Sequence, residues 1–397
     1  MEFSIHLQVL SLIFLIAIAL GAAMHATRFC TMGGVADWIN MGHKGRLGAW
    51  FVAIAVALGG VLVLEASNLI ALQNRTLQMF PPYRTAQFAW LRYLLGGLLF
   101  GVGMTLAGGC SSRALVRAGG GSLKALSVLA VIAVTAYFML WTDFFQKAFL
   151  VWIAPTTINL ARWGVPSQEL GQIAGAVTGL GVRTLHLGLG AVSAALVLLA
   201  VFRLRDFRLQ PANIFGGAIV GLAVAAGWAV TAGPLSEAWG EYALLATEPP
   251  IRIAMQSFTF VSPMGDAVNY LMNPRFVLVS FGVVSLLGVV LGSAAYALAT
   301  KKFRLEWFAS FSDFITHVVG AVLMGIGGVL AMGCTIGQGI AGASTLALGS
   351  MLALASMIAG SIVTLKMQYY LLGGGSVWQA LRLVASDLRL LPKPQVV

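Results

Sequence analysis

Three cysteines are the residues of this 397-residue chain best suited to chemistry. Cys30, Cys110 and Cys334 are each followed by a hydroxyl residue (Thr31, Ser111 with Ser112, and Thr335), and glycines Gly109 and Gly333 stand directly before two of them. Ser and Thr at a helix start accept hydrogen bonds from free backbone N–H groups, so each Cys-hydroxyl pair predicts a helix that begins beside the thiol. A helix N-terminus attracts anions through its oriented N–H groups, and a thiol is a weak donor with a polarizable sulfur. Together they suit a small sulfur-containing anion that exchanges its water for backbone N–H groups, for these hydroxyls and for S–H contacts, moving from one thiol to the next. Arg28 and Arg113 either draw such an anion to an entrance or are snorkelling interface residues. The helix end would also favour a thiolate, which repels an anion but is the better nucleophile. Transport therefore requires mostly neutral thiols, and a membrane-embedded sulfurtransferase or thiol redox enzyme requires a thiolate. Single buried cysteines are often only small hydrophobes; three at corresponding points argue otherwise. With no C-x-x-C and no neighbouring His cluster, neither a disulfide framework nor a metal site is expected, and no cofactor motif supports the enzyme.

The elements that must hold these residues are written in the composition. Hydrophobic residues make up 59% and charged residues 9% of the chain, against about 25% charged in soluble domains, which makes it an integral membrane protein. Segments of about 20 apolar residues can cross a bilayer as helices. Nine are expected, at about 6–26, 47–66, 89–108, 124–142, 185–202, 213–231, 277–299, 314–333 and 346–366. The first is too long and too weakly charged at its start for a cleaved signal peptide. The net charge of +11 is scattered over short loops, which encodes membrane topology rather than nucleic acid binding. Sixteen of the 24 Lys and Arg follow odd-numbered spans or lie in the tail, which places the C-terminus in the cytoplasm and the N-terminus outside. Trp38, Trp50, Trp90, Trp141, Trp152, Trp239 and Trp307 lie near span ends and read as interfacial anchors, as do Asp37 and Glu65.

Fifteen residues occur twice: GGLLFGVGMTLAGGC at Gly96 to Cys110 and GAVLMGIGGVLAMGC at Gly320 to Cys334, identical at eight positions. If the fifth span separates two units of four, about 6–142 and 213–366, the second crosses the membrane in the opposite sense. Such inverted repeats place their site near the midplane on short broken helices. Four short segments qualify, after spans one, three, six and eight. The fourth, Phe258 to Asp266, pairs Phe260 with Phe29, Ser262 with Thr31 and Met264 with Met32, leaving Val261 in a cysteine's place and Pro263 opening a helix capped by Ser262. Non-helical backbone at membrane depth must line a cavity or be buried in protein, so these loops predict a central plug or pore, entered by two from each face. Gly96, Gly97, Gly101 and Gly103 suit close helix packing, whereas Gly108, Gly109 and Gly333 suit the sharp turn before each thiol. His25 reads as a hydrogen-bonded structural residue, with a cavity-lining role as the alternative. The connections 143–183 and 232–275 read as external, with surface helices, and the tail (367–397) as carrying a short interfacial helix from 376. The whole is an all-α, single transmembrane transporter domain.

The motifs TRFCTMGG, LAGGCSSR and AMGCTIGQG on a nine-span chain resemble the YeeE/YedE family of sulfur-compound transporters. The resemblance implies a thiosulfate permease of the bacterial inner membrane with four short membrane-inserted loops, its three functional cysteines falling on Cys30, Cys110 and Cys334. It also implies a TusA-like sulfur carrier protein as a cytoplasmic partner, and a selenium compound as an alternative substrate. A purely structural subunit would leave the thiols and hydroxyls unexplained.

Overall fold

The computed structural model describes residues 2–72, 81–246, 248–374 and 376–387. In chain order its helices are α1 (Glu2–Thr27), α2 (Thr31–Met41), α3 (Gly45–Ala66), α4 (Trp90–Leu106), α5 (Ser111–Gly119), α6 (Leu123–Trp141), α7 (Leu170–Thr178), α8 (Val182–Phe202), α9 (Pro211–Ala232), α10 (Leu235–Leu245), α11 (Val261–Met272), α12 (Phe281–Ala299), α13 (Phe311–Leu330), α14 (Leu348–Leu372) and α15 (Val377–Asp387), with a few single turns between them. Two-residue strands β1 (Gln87–Phe88) and β2 (Ile158–Asn159) pair antiparallel. Nine helices among the described residues, α1, α3, α4, α6, α8, α9, α12, α13 and α14, are long and apolar enough to cross a membrane. The protein is an all-α multi-pass membrane protein, and each expected span overlaps one of these helices. Among their C-terminal ends the largest difference is at α14, which continues to Leu372 instead of stopping near 366.

Close packing joins the two copies of the fifteen-residue segment. A Cβ on Gly103 would stand 2.5 Å from Gly320 O, and one on Gly320 would stand 2.7 Å from Gly103 O; Gly96 and Gly327 stand in the same relation. Gly103 meets the counterpart of Gly96, and Gly96 the counterpart of Gly103. Copies that meet this way run antiparallel. Gly97 and Gly101 press on the α14 backbone at Ala353 and Met357. Much of the remaining packing comes in matched sets: α1 on α12 and α9 on α3, α4 on α14 and α13 on α6, α2 on α14 and α11 on α6.

Several expectations are corrected. Trp50 and Trp239 are buried in the core, the latter donating to His6 Nδ1 at 3.0 Å, so neither anchors an interface. Glu65 is not a lone interfacial residue, since it pairs with Arg84 and His186. In the fourth short segment the helix begins at Val261 with Phe260 as its cap residue, so Ser262 and Pro263 lie inside the first turn of α11. A proline there removes only an N–H that would have no helical acceptor anyway. The connections carry α7 and α10, and the tail carries α15 packed on α14. Arg389, Lys393 and the rest of the tail after Asp387 lie outside the described residues.

Candidate functional site

The three thiols are delivered by one backbone device used three times. At the end of α1, Arg28 N bonds to His25 O and Phe29 N to Met24 O, with Arg28 at φ +54°. At the end of α4, Gly108 N bonds to Thr105 O and Gly109 N to Met104 O, with Gly108 at φ +66°. After α13, Met332 N bonds to Val329 O and Gly333 N to Gly328 O, with Met332 at φ +60°. This is a left-handed C-terminal cap, and each time the cysteine comes two residues later. The turn thus belongs to the position two before the thiol. Gly108, expected to supply it, does so, whereas Gly109 and Gly333, expected alongside it, lie outside the left-handed region. Arg28 and Met332 adopt it at a cost of about 1 kcal/mol or more each; the same cap also ends α3 at Asn68 and α12 at Lys301, so it is the placing of a thiol two residues later that sets these three apart.

Past the turn, a helix starts at the residue after the thiol, at Thr31 for α2 and Ser111 for α5. The capping position is held by the cysteine instead of the hydroxyl. Cys30 Sγ accepts the Gly33 N–H at 3.3 Å and Cys334 Sγ accepts the Gly337 N–H at 3.4 Å. Cys110 holds the same place without such a cap bond, its sulfur lying 3.2 Å from Ser112 Oγ. The third segment opens with ordinary helical bonds, Gln338 N to Cys334 O and Gly339 N to Thr335 O, then widens into a π-helix (Gly337–Gly342) and tightens into a 3₁₀ turn (Ala343–Thr345). Such irregular turns gather at functional sites. Gln338, fully buried, pins this segment by donating from Nε2 to Ala331 O and accepting from Ser350 Oγ, each at 2.5 Å.

The segments meet. The Cys30 and Cys110 thiols come within interaction range of each other, and the Thr335 hydroxyl comes close to the Cys110 sulfur from the second half of the chain. The Phe260 N–H of the fourth segment is directed at the Cys334 sulfur. All three thiols are buried and free, as are the side chains of Thr31, Ser111, Ser112 and Thr335 buried. Ser111 Oγ, Thr335 Oγ1 and Thr259 Oγ1 have no hydrogen-bond partner of acceptable geometry. Buried hydroxyls are nearly always bonded, so three orphans around the thiols mark polar groups left for something else.

Cavities open on either side, at opposite ends of α12. One, of about 320 Å³, is lined by His25, Arg28, Arg113, Arg117, Lys302 and Arg304. Here the structure brings Arg28 and Arg113 together with Arg117, and adds Lys302 and Arg304, two cations that the sequence reading counted only toward topology. His25 Nδ1 bonds to Ser293 Oγ at 2.8 Å and also lines this space, so its two readings hold at once. The other cavity, of about 310 Å³, takes in Tyr83, Arg92, Arg252, Thr259, Asp266 and Met332. Arg252 Nε pairs with Asp266 Oδ2 at 2.5 Å, and Asp266 Oδ1 accepts from Trp141 Nε1 at 3.1 Å. Tyr83 and Arg92 were missed because they sit on segments with no motif of their own; Thr259, in the segment already laid against Arg28 to Gly34, was within reach.

Comparison with known proteins agrees with the architecture. A family model described as sulphur transport matches residues 26–363, which takes in all three thiols. A thiosulfate transporter TsuA of Escherichia coli K12 is 25% identical over 346 residues, covering 81% of this chain and 84% of its own length. A thiosulfate transporter TsuA of Spirochaeta thermophila is 28% identical over 272 residues, covering 68% of this chain and 74% of its own. With a family model over most of its length and, among the described residues, nine helices fit to span a membrane, the chain belongs to the sulphur transport family, and is a transporter rather than an enzyme.

Proposed function

We propose that the protein is a permease for thiosulfate uptake in which the anion passes through neutral thiols. The observation that carries this is the close Cys30–Cys110 pair, with Thr335 near it and orphaned buried hydroxyls alongside, between two cavities at opposite ends of α12. Cys110 takes the middle of the path, because Cys30 of the first half of the chain and Thr335 of the second both lie close to it. Cys334 serves the side of the cavity at Thr259 and Met332, and Cys30 the side of the basic cavity at Arg28 and Arg113. Both relatives carry the name thiosulfate transporter, which supports this substrate over a selenium compound or another sulfur anion.

The substrate-binding set is Cys30, Cys110 and Cys334 with Thr31, Ser111, Ser112, Thr335, Arg28, Arg113, Gly109 and Gly333. Two inverted units, about 6–142 and 213–366, joined by the 185–202 helix, carry it on four re-entrant segments. Reciprocal glycine contacts and matched helix pairs support that division. The protein resides in the bacterial inner membrane with its N-terminus outside and C-terminus in the cytoplasm, so that the basic cavity opens inward, where a TusA-like carrier receives the sulfur. The test is uptake of labelled thiosulfate into liposomes with sulfate and selenite as competitors. Transport inhibited by neither supports the reading, and a vesicle that takes up selenite or sulfate but no thiosulfate refutes it.

A further inference from the structure

Away from both cavities, four ionisable side chains close on one another between α3, α8 and the connection after α6. His186 Nδ1 lies 2.5 Å from Glu169 Oε1, His186 Nε2 lies 2.6 Å from Glu65 Oε2, and Arg84 Nη1 donates to Glu65 Oε1 at 3.1 Å. Their side chains are 4% to 15% exposed. A neutral imidazole carries a proton on only one ring nitrogen, yet both nitrogens here face carboxylate oxygens. The Glu65–His186–Glu169 set must therefore hold two protons, one more than two carboxylates with a neutral ring. With that proton the two carboxylates balance His186 and Arg84; without it a buried negative charge is left uncompensated. The charged groups around the ring are Glu65 from α3, Arg84 from the segment before β1, Glu169 ahead of α7, and on α8 itself Arg183, which is engaged by Asn68 Oδ1 at 2.8 Å.

The cluster is wired to the Cys334 segment. Residues flanking Glu169 clip onto the chain just after the 3₁₀ turn: Leu170 N bonds to Leu346 O at 3.0 Å, Leu348 N to Gln168 O at 3.0 Å and Gly349 N to Gln168 Oε1 at 3.1 Å. Arg84 Nε donates to Thr345 O at 3.3 Å from the other side. The stretch 345–349, in which the segment begun at Cys334 ends, is thus held through Arg84 on the side of Glu65 and through Gln168 and Leu170, the residues on either side of Glu169, on the other.

We propose that Glu65, His186 and Glu169 form a proton-binding site whose loading governs passage of the anion at Cys334, making the transporter proton-coupled. The idea rests on the anion-transport reading above and gives it a driving force: a divalent anion entering a negative-inside cell moves against the membrane potential, and an accompanying proton offsets part of that. Proteoliposomes holding a pH-sensitive dye, given labelled thiosulfate at zero membrane potential, test it. Parent uptake should rise several-fold with an acidic exterior and acidify the lumen, while His186→Gln and Glu169→Gln keep downhill thiosulfate exchange and lose both responses. A parent indifferent to the gradient, or variants that keep the stimulation, overturns the site. A parent that moves no thiosulfate under any gradient refutes the substrate reading instead. In that event, or if both variants lose exchange, the ¹⁵N signal of His186 in nanodiscs, assigned by its disappearance in H186Q, decides: an imidazolium at mildly alkaline pH, above the ~6.5 of a free imidazole, supports the site, and a neutral ring overturns it.

Discussion

Replacing the middle thiol is the sharpest test of the path. Cys110 is buried, lies close to both Cys30 and Thr335, and has Ser112 Oγ at 3.2 Å. Cys110→Ala removes one donor from a passage in which the anion has given up water, and leaves Ser112 and Thr335 where they are. A hydrogen bond to a charged group contributes about 1.5–3 kcal/mol, and each 1.4 kcal/mol is a factor of ten, so the uptake rate should fall about 10- to 100-fold. Cys110→Ser keeps an O–H donor at the same position and should recover part of the loss, whereas a mechanism with sulfur covalently bound to this residue would leave Ser as inactive as Ala. The assay is initial uptake of labelled thiosulfate into proteoliposomes with matched amounts of folded protein. An Ala variant within twofold of the parent refutes the thiol path; Ser and Ala equally dead refutes the hydrogen-bond account of it.

Gly103→Leu should cost more than 3 kcal/mol, since its side chain meets Gly320 backbone instead of a movable side chain and overpacking of softer sites already costs about 1–3 kcal/mol; thermal melting in detergent should show loss of the folded form, and a near-parent midpoint would deny the α4–α13 contact. Met332→Gly should hold or raise stability by up to about 1 kcal/mol by relieving the left-handed turn, while Met332→Val should lower it, because β-branched residues tolerate positive φ worst; the reverse order of melting points would deny the turn. Arg28→Gln with Arg113→Gln should slow uptake more at low ionic strength than at high, where the Debye length falls to about 8 Å or less; a salt-independent deficit would argue against attraction at the basic cavity. The Arg117 guanidinium, 2.8 Å from the Glu306 carboxylate, holds that carboxyl below its usual range. A lowered folded-state value means that this pair adds stability above the ordinary ~4.3 and loses it as pH falls through the lowered value. The effect is small because the Glu306 side chain is half exposed, and Glu306→Gln should remove that part of the acid sensitivity of the melting point; unchanged acid sensitivity would deny the pair a role.

Span positions were legible because a run of about 20 apolar residues is a local property, and the long helices keep it. The thiols were legible for the same reason: Cys followed by Thr or Ser is read within two residues. Details that depend on distant partners were not. Glu65 looked interfacial because Arg84 and His186, which neutralise it, lie 19 and 121 positions away. Trp50 looked like an anchor because nothing local says that Gly339 leaves room for its ring. Of the three glycines read as making the turn, Gly108 is the left-handed residue and Gly109 and Gly333 are not; propensity favours Gly at all three, and only hydrogen-bond geometry, repeated at Arg28 where no glycine stands, fixes the position two residues before the thiol. The basic cavity needed α1, α5 and the residues after α12 brought together, which charge counting along the chain cannot do.

That turn also resolves a tension in the packing. Gly96 meets Gly327 and Gly103 meets Gly320, so α4 and α13 cross antiparallel, and continuing either helix would carry Cys110 and Cys334 to opposite ends of the crossing. The seven residues from Gly96 to Gly103 alone rise about 10 Å, and each cysteine lies beyond that stretch. Yet the Thr335 hydroxyl, next to Cys334, comes close to the Cys110 sulfur. The left-handed caps at Gly108 and Met332 reconcile the two facts by ending each helix early and turning its chain back toward the crossing, so that two halves running in opposite directions can place their thiols in one region. A residue at positive φ is thus required at this spot whatever its side chain, which accounts for Arg28 and Met332 standing where glycine would be less strained: Arg28 lines the basic cavity and Met332 the other, and each has a side chain to contribute that glycine lacks.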